Sequence, residues 1–193
     1  TVYVREGRTL ATSTDGEGFV ENIRWRLPGY SFTGKTVLIV GAGGTSRAII
    51  DELLRCDARH ILLVNRTPEK AGKIAAVFPG QVTALPLAEL DKALPDGELI
   101  VNATSAGIAD HAKISLAFSK LRKGTVVTDI NYVPLVTPFL QEARAAGFDI
   151  VPGLGMLLHQ AVRGFSLWFG QRPQVTEELY SMIARDIDPE YPG

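Results

Sequence analysis

A glycine-rich segment between an apolar run and a helical pattern constrains the fold of this chain most. Residues 37–40 (Val-Leu-Ile-Val) form a continuous apolar run, as expected for a strand that is covered on both faces. The segment Gly41-Ala42-Gly43-Gly44-Thr45-Ser46 comes next, and a helical pattern then continues through Leu54. A strand, a glycine turn and a helix in this order are typical of the first unit of a parallel α/β sheet.

Strand and helix patterns alternate along the rest of the chain. Five further strands are expected at 61–64, 82–85, 99–101, 126–130 and 148–151, with helices at 68–77, 87–94, 138–146, 155–169 and 175–185. Because crossovers between parallel strands are right-handed, the sequence predicts a doubly wound, Rossmann-like α/β sheet of six strands in the order 3-2-1-4-5-6. In the helix 155–169, the spacing of Leu157, Ala161, Phe165 and Trp168 predicts the buried face.

Residues 1–14 do not follow this alternation. Short strand patterns at 2–4 and 9–12 flank Glu6-Gly7-Arg8, which predicts a hairpin. We therefore divide the chain into a hairpin (1–14), an α/β domain (15–187) and a tail (188–193). The hairpin and the apolar stripe Leu179, Met182 and Ile183 have no obvious core. Exposed strand edges and apolar patches favour pairing with another copy, so we expect either self-association into a homo-oligomer or a disordered hairpin.

Charge and cysteine content exclude several classes of protein. The 20 basic and 21 acidic residues nearly cancel, which argues against nucleic-acid binding through phosphate neutralisation. No apolar run reaches the roughly 18 residues that span a bilayer, so no membrane partner is expected. The one cysteine, Cys56, matches no metal-binding spacing and forms no internal disulfide, which favours a reduced, cytoplasmic location. No metal site is predicted.

The glycine segment favours a bound dinucleotide. Gly41 permits a tight turn, Gly43 lets the backbone approach a pyrophosphate, and the small Ser46 keeps the helix close to the strand. The N-terminus of the helix then offers unpaired N–H groups to the phosphate charge. A glycine-rich turn that binds no ligand is the alternative.

The residues after the second strand indicate which dinucleotide binds. Asn65-Arg66-Thr67 stands where an NAD site carries an acidic residue for the ribose 2′-hydroxyl. Arg66 offers a planar cation for a 2′-phosphate, and Asn65 and Thr67 can donate to the same phosphate, so NADP is favoured over NAD. Thr67 is also explained as the cap of the helix that begins at Pro68, but this does not account for Arg66.

The ends of the later strands carry further candidates, because ligands bind beyond the carboxyl ends of parallel strands. The small, polar segment 102–107 either lines the cofactor crevice or is an ordinary turn. Tyr132 follows the fifth strand and has no structural explanation. Gln160, after the sixth strand, has an amide that suits a polyhydroxylated substrate, whereas His159 beside it is better explained as structural.

Asp15 has two interpretations. Thr14-Asp15-Gly16-Glu17 matches the capping box that begins a helix, and residue types alone favour this interpretation. Alternatively, an aspartate just before the first helix faces a substrate and binds its hydroxyl groups.

Together these motifs resemble the shikimate dehydrogenase family. The resemblance runs from Asp15 to about Trp168, in the family's order and spacing. The matching segments are 13–16 (Ser-Thr-Asp-Gly), 41–44, 65–67, 102–105 (Asn-Ala-Thr-Ser), 129–134 with Thr137-Pro138, and 153–161 with Met156-Leu157 and Gln160. Glutamyl-tRNA reductases share the glycine loop and a similar Asn-Arg-Thr, but they lack the opening Thr-Asp-Gly and the closing Met-Leu-x-x-Gln.

The resemblance implies NADP-dependent reduction of 3-dehydroshikimate to shikimate, a step of aromatic amino acid biosynthesis. It assigns Asp15, Tyr132 and Gln160 to the substrate, with Asp15 also in the catalytic acid–base pair, which replaces its interpretation as a cap. It places Ile130 and Gly153 near the nicotinamide. The cofactor-binding residues that it implies are Gly41, Ala42, Gly43, Gly44, Thr45, Asn65, Arg66, Thr67, Pro68, Glu69, Lys70, Thr104, Ser105, Ile130 and Gly153.

The sequence departs from the family in two places. Ser13 stands where the family most often has Asn. The family has an amino-terminal substrate domain that carries the catalytic lysine in a Ser-Lys-Asn-type motif. No lysine of this sequence stands in such a motif. We therefore expect a cofactor-binding fragment that is inactive alone. Two alternatives stay open: a quinate/shikimate dehydrogenase relative with another polyol substrate, and a non-catalytic NADP-binding module.

Overall fold

Six parallel strands form the central sheet, and two antiparallel strands form a separate hairpin. The computed structural model describes residues 1–104 and 116–192. The strands are β1 (Val2–Arg5), β2 (Arg8–Ala11), β3 (Thr36–Val40), β4 (His60–Asn65), β5 (Val82–Pro86), β6 (Leu99–Asn102), β7 (Val126–Asp129) and β8 (Asp149–Val151). The sheet order is β5-β4-β3-β6-β7-β8, which confirms the predicted order and the α/β fold with a hairpin.

Within the described residues, seven α-helices connect and cover these strands. They are α1 (Asp15–Arg26), α2 (Gly44–Arg55), α3 (Pro68–Ala75), α4 (Leu90–Ala93), α5 (Pro138–Ala145), α6 (Leu154–Phe169) and α7 (Glu177–Ile187). The predicted helix 87–94 is reduced to α4 between two 3-10 turns, Leu87–Glu89 and Leu94–Asp96. Pro95 lacks the N–H that would continue α4. Among the described residues, no helix has the length and apolar character needed to cross a membrane.

The sheet is covered on both faces, which explains its continuous apolar strands. Every residue of β3 and β6 is buried. Val37 and Ile39 face α1, α2, α3 and α6, whereas Leu38 and Val40 face α4 and α5. Because neighbouring residues of a strand point to opposite faces, a strand between two helix layers needs apolar residues at every position.

Two glycines let α1 pack closely against two other helices. A Cβ on Gly18 would lie 2.7 Å from the backbone nitrogen of Gln160 in α6. A Cβ on Gly16 would collide with the backbone of Ala48 in α2. The start of α1 is therefore fixed between α2 and α6, beside the ends of the central strands.

The hairpin lies against the C-terminal part of α6 but is largely exposed. The Trp168 indole Nε1 donates to the Val2 carbonyl at 2.8 Å. Val4 is 70% exposed and Trp168 is 58% exposed. The predicted buried face of α6 is wrong for Ala161, Phe165 and Trp168, which are exposed, whereas Leu157 packs partly against a core cluster. Met156 and Val162 are buried instead.

Helix α7 contributes to a small core of its own. Tyr180 and Ala184 are buried and pack with Leu135 and Leu154, and Ile183 packs partly against this cluster. The expectation that the α7 stripe has no core is therefore wrong for Ile183. Met182 is 56% exposed, as that expectation requires.

The close packing of α1 on α6 predicts opposite effects of the same substitution at two helical glycines. Gly18→Ala is expected to destabilise the fold by about 1–3 kcal/mol, because the added methyl group overpacks against Gln160. Gly72→Ala in α3 is the matched control: its Cβ would meet no described atom within 4 Å, and helix propensity favours Ala by about 0.8–1 kcal/mol. Urea unfolding measures both values, and stabilisation by Gly18→Ala would contradict the close packing of α1 and α6.

Candidate functional site

The carboxyl ends of four strands lie side by side. Val64, Val40, Asn102 and Asp129 pair in register across β4, β3, β6 and β7. The loops that follow these strands therefore leave the sheet next to one another. The strand order reverses between β3 and β6, and open α/β sheets bind their ligands in the crevice at such a switch point.

Gly41 makes the turn that begins this crevice. Its φ is +113°, a conformation that L residues rarely adopt. Its N–H donates to the Val64 carbonyl at 2.8 Å. A Cβ at this position would lie 2.6 Å from the Ala103 carbonyl oxygen. Gly41 is therefore required by the fold itself.

Gly43 and Gly44 stand in a different environment at the start of α2. Both are exposed, and a Cβ on either would meet no described atom within 4 Å. Ser46 is buried, and its Oγ accepts the Gly43 N–H at 3.3 Å. The open space above these two glycines leaves room for an anionic group at the N-terminus of the 12-residue helix α2.

Asn65 joins the glycine loop to the start of α3. Its Oδ1 accepts the Ala42 N–H at 3.2 Å, and its Nδ2 donates to the Thr67 carbonyl at 2.9 Å. Thr67 occupies the N-cap position of α3, but its side chain makes no capping hydrogen bond within the described structure. The interpretation of the Thr67 hydroxyl as a helix cap is therefore wrong. Arg66 is exposed, as are residues 67–70, beside the open glycine loop.

A buried carboxylate connects the ends of β6 and β7. Asp129 is 1% exposed. Its Oδ1 accepts the Asn131 backbone N–H at 2.9 Å and Asn131 Nδ2 at 2.8 Å. Its Oδ2 accepts Asn102 Nδ2 at 3.0 Å and the Thr137 hydroxyl at 2.8 Å. The four bonds join both strand ends to the beginning of α5.

The donors around Asp129 favour its ionised form, although burial opposes ionisation. Burial raises the pKa of Asp129, whereas the hydrogen bonds from Asn131, Thr137 and Asn102 act to lower it. Both oxygens accept bonds and neither donates one. A proton on this carboxyl would replace at least one of those acceptor contacts.

Gly153 seats the start of α6 on the end of β7. A Cβ there would lie 2.6–2.7 Å from the carbonyl oxygens of Asp129, Ile130 and Asn131. The preceding Pro152 carbonyl accepts Asn22 Nδ2 from α1 at 2.9 Å. Ile130 and Gly153, the two residues expected near the nicotinamide, are thus brought together at one end of the crevice.

The three residues expected to bind the substrate lie on three elements around this end. Asp15 is the first residue of α1, one turn before Gly18, which packs on Gln160 of α6. Tyr132 follows β7 and packs partly against the cluster of Leu135 and Leu154. All three side chains are half-buried. The crossing of α1 and α6 therefore brings Asp15 close to Gln160.

The predicted capping box at the start of α1 is not formed. Thr14 occupies the N-cap position without a side-chain capping bond in the described structure, and the Asp15 N–H donates to Ser13 Oγ at 3.4 Å. The Glu17 carboxylate instead pairs with Arg172 at 2.8 Å and Arg163 at 3.7 Å. The geometry thus gives Asp15 no capping role.

Comparison with known proteins decides the family. The sequence model described as shikimate / quinate 5-dehydrogenase matches residues 26–146, and that of the shikimate 5′-dehydrogenase C-terminal domain matches residues 153–177. A shikimate dehydrogenase (NADP(+)) of Sinorhizobium fredii is 45% identical over 188 residues. This chain belongs to the shikimate dehydrogenase family. The aligned region covers 97% of this chain and 65% of that relative, so the chain spans about two thirds of the relative's length.

Solved structures of the shikimate dehydrogenase family have the same architecture. Shikimate 5-dehydrogenase of Thermus thermophilus, in complex with NADP(H) and shikimate, is 32% identical with a TM-score of 0.77, over 96% of this chain and 67% of that one. Quinate dehydrogenase of Corynebacterium glutamicum, in complex with NAD, is 28% identical with a TM-score of 0.82. That match covers 94% of this chain and 66% of that one.

The structure describes one of the two site residues that are expected after β6. Thr104 follows β6, where its N–H and hydroxyl both donate to Asn102 Oδ1, at 3.1 and 2.8 Å. Ser105 lies outside the described residues. Of the remaining expected residues, Asn65 ends β4 and Gln160 lies within α6, and the others stand on loops or in the first turn of a helix.

His159 is half-buried next to Gln160 and packs against Trp25. Its ring lies edge-on to Trp25, with centroids 5.6 Å apart, and its Nε2 has no hydrogen-bond partner among the described residues. Burial lowers the pKa of His159. These contacts agree with the interpretation of His159 as a structural residue.

Sequence reasoning missed Asn22 and the role of the Asn102–Asp129 pair. Asn22 is 1% exposed and lies among the apolar residues of α1 that face the core. A polar residue at an apolar position of an amphipathic helix was the available signal. Asn102 and Asp129 end two adjacent strands, but their direct contact depends on the register between those strands.

A separate cavity of about 660 Å³ lies at the opposite edge of the sheet. It is lined by residues that precede β7 and β8, including Phe118, Lys123 and Phe148. None of the expected site residues lines it. No group of three or more His, Cys, Asp or Glu side chains within residues 1–104 and 116–192 is arranged to hold a metal.

The contrast between Gly41 and Gly43 predicts different effects on stability. Gly41→Ala is expected to destabilise the fold by about 1–3 kcal/mol or more, because of its positive φ and the contact with Ala103. Gly43→Ala should change the free energy of unfolding by no more than about 0.5 kcal/mol, because the added methyl group enters open space. Thermal and urea unfolding measure the difference. A destabilisation by Gly43→Ala as large as that by Gly41→Ala would show that Gly43 does not face open space.

Proposed function

We propose that this chain is the NADP-binding part of a shikimate dehydrogenase, which reduces 3-dehydroshikimate to shikimate. The observation that carries the proposal is the exposed Arg66 beside the open space at Gly43 and Gly44. The curated relatives with 45–46% identity, from Sinorhizobium and Rhizobium, are named shikimate dehydrogenase (NADP(+)).

The residues around the glycine loop fit a 2′-phosphorylated dinucleotide. The N–H groups at the start of α2 face the open space where a pyrophosphate would bind. Arg66 directly follows Asn65, the last residue of β4, in the segment that carries a carboxylate in NAD sites. A guanidinium there attracts a 2′-phosphate, whereas a carboxylate would repel it. Asn65 holds the two loops together and so fixes the distance between the pyrophosphate and 2′-phosphate subsites.

The substrate side of the proposed site is built from Asp15, Tyr132 and Gln160. The Gln160 amide donates to and accepts from the hydroxyl groups of the substrate, and the Tyr132 hydroxyl can do the same. Asp15 contributes a carboxylate to the acid–base pair that supplies the carbonyl oxygen with its proton. Bound NADPH supplies the hydride. The resemblance to the family assigns the second member of the pair to a lysine in the part of the relatives that this chain does not span.

We also propose a cytoplasmic location and self-association of the chain. The surface that supports association comprises the hairpin and the exposed aromatic side chains of α6, including Phe165, Trp168 and Phe169. Contiguous apolar surface of this kind is typical of protein–protein contacts. The nearly balanced net charge of −1 gives no support to a nucleic-acid partner.

The cofactor assignment predicts a selective loss of affinity in Arg66→Ala. Loss of one charge-assisted phosphate contact costs about 1.5–3 kcal/mol, so the dissociation constant of NADPH should rise about tenfold or more. That of NADH should change little, because NADH has no 2′-phosphate. Calorimetric titration of the chain measures both constants. Arg144→Ala in α5, another exposed arginine, is the control and should leave both unchanged.

Two results would contradict the assignment. One is equal affinity of the unmutated chain for NADPH and NADH. The other is a similar loss of affinity for both cofactors in Arg66→Ala. Arg66→Lys should fall between the unmutated chain and Arg66→Ala for NADPH, because lysine keeps the charge but loses the planar fork of donors.

The proposed division of the site predicts binding without turnover. The purified 193-residue chain should bind NADPH but should not oxidise it in the presence of 3-dehydroshikimate, because only one member of the acid–base pair is present. Absorbance of NADPH over time measures this. Steady oxidation that depends on 3-dehydroshikimate would show that the chain holds a complete catalytic pair.

A further inference from the structure

We propose that Asp129 is a positioning residue for the nicotinamide half of the bound cofactor. It acts through the loops that follow β6 and β7, and it touches neither cofactor nor substrate. The inference rests on the proposed function, because it takes the ligand of the crevice to be a nicotinamide dinucleotide. It adds a residue that the motif comparison does not assign to any ligand.

The sheet topology separates the two halves of the ligand. In a doubly wound sheet, a dinucleotide lies across the point where the strand order reverses, which is between β3 and β6 here. Arg66, the proposed 2′-phosphate contact, follows β4 on one side of that point. The loops after β6 and β7 are on the other side, where the nicotinamide half would lie.

The four bonds of Asp129 join the end of β6, the segment that follows β7 and the N-cap of α5. One oxygen takes both N–H donors of Asn131, at 2.8 and 2.9 Å. The other oxygen takes Asn102 at the end of β6 and Thr137 at the N-cap of α5. Asn131 Nδ2 also donates to the Thr104 carbonyl at 2.8 Å. The loops are thus joined both through the carboxylate and directly.

The same two loops form the wall of the crevice. The loop after β6 contacts Gly41, because the Ala103 carbonyl oxygen lies where a Cβ on Gly41 would be. The loop after β7 contacts Gly153, through the carbonyl oxygens of Ile130 and Asn131. The Asp129 carboxylate, together with the bond from Asn131 to Thr104, therefore connects the segment that contacts the glycine turn to the segment that contacts the start of α6. The nicotinamide ring would have to fit against this wall.

A buried polar bond next to the other end of β7 differs in this respect. Thr125 directly precedes β7, and its hydroxyl donates to the Gly97 carbonyl at 3.2 Å. Thr125 is 2% exposed, about as buried as Asp129. Loss of the Thr125 bond would therefore weaken the fold without changing the crevice, which makes Thr125→Val a matched control.

The experiment compares Asp129→Asn with Thr125→Val. The asparagine amide keeps the shape of the carboxyl group, but an NH₂ group replaces one of the two acceptor oxygens. At the Oδ1 position this NH₂ group would face the donors of Asn131, and at the Oδ2 position it would face those of Asn102 and Thr137. Two ligands are titrated by calorimetry: NADPH, and adenosine 2′,5′-bisphosphate, which lacks the nicotinamide half. Thr137→Val is a milder second variant, because it removes one donor and keeps the carboxylate.

We expect Asp129→Asn to raise the dissociation constant of NADPH about tenfold and that of the bisphosphate by less than about twofold. Thr137→Val should shift the two constants in the same selective way by a smaller factor. Thr125→Val should leave both within about twofold. Equal weakening of both ligands by Asp129→Asn and Thr137→Val would show a merely structural role and would overturn the inference, as would unchanged NADPH affinity.

Hydrogen exchange tests the positioning role of Asp129 independently of whether the chain binds a dinucleotide. In the absence of ligand, the amide of Asn131 should exchange faster in Asp129→Asn than in Thr125→Val, because its acceptor is the Asp129 carboxylate. If the unmutated chain binds neither ligand, the proposed function fails. Unchanged exchange at Asn131 and Thr104 in Asp129→Asn would overturn the positioning role whether or not the chain binds a dinucleotide.

Discussion

In-register pairing of the parallel strands β4, β3, β6 and β7 is the constraint on which the site depends. It aligns Val64, Val40, Asn102 and Asp129 in one row. Loops begin directly after Val40, Asn102 and Asp129, and one residue beyond Val64, so the glycine turn, the Arg66 loop and the two polar loops emerge as neighbours. A shift of one residue in β7 would move Asp129 to the other face of the sheet and separate it from Asn102.

Contacts that only glycine permits place the helices relative to this row. Gly18 sets the distance between α1 and α6, and Gly153 seats α6 on the carbonyl groups that end β7. These two contacts carry the expected substrate residues, because Asp15 begins α1 and Gln160 lies in α6. Two of the three expected substrate residues thus stand on helices whose spacing is set by backbone contacts.

The sequence was sufficient for the strands, their order and the glycine turn, because these depend on local patterns and on the handedness of crossovers. It was not sufficient for contacts that depend on the register or on the packing of distant elements. The Asp129 bonds are of this kind, and so is the bond from Asn22 to Pro152. For α6, apolar spacing alone predicted the wrong face, because Trp168 lies against the exposed hairpin instead of the core.

Local polar motifs were also misleading where a tertiary partner competed for the side chain. Glu17 completes a capping box by sequence, but it forms ion pairs with Arg163 and Arg172 from distant parts of the chain. Thr67 stands at an N-cap position without capping through its side chain in the described structure. In both cases a local motif identified where the helix begins but not how its side chains are used.

We propose that one dinucleotide spans the carboxyl edge of the sheet, from the Arg66 loop to the start of α6. Amide NMR titration of the 193-residue chain with NADP⁺ tests it most directly. A dinucleotide in this position should change the chemical shifts of residues 41–45 and 65–67 on one side of the switch point. It should also change those of Ile130 and Gly153 on the other side. Shift changes concentrated around Phe118 and Phe148, at the opposite edge of the sheet, would contradict this proposal.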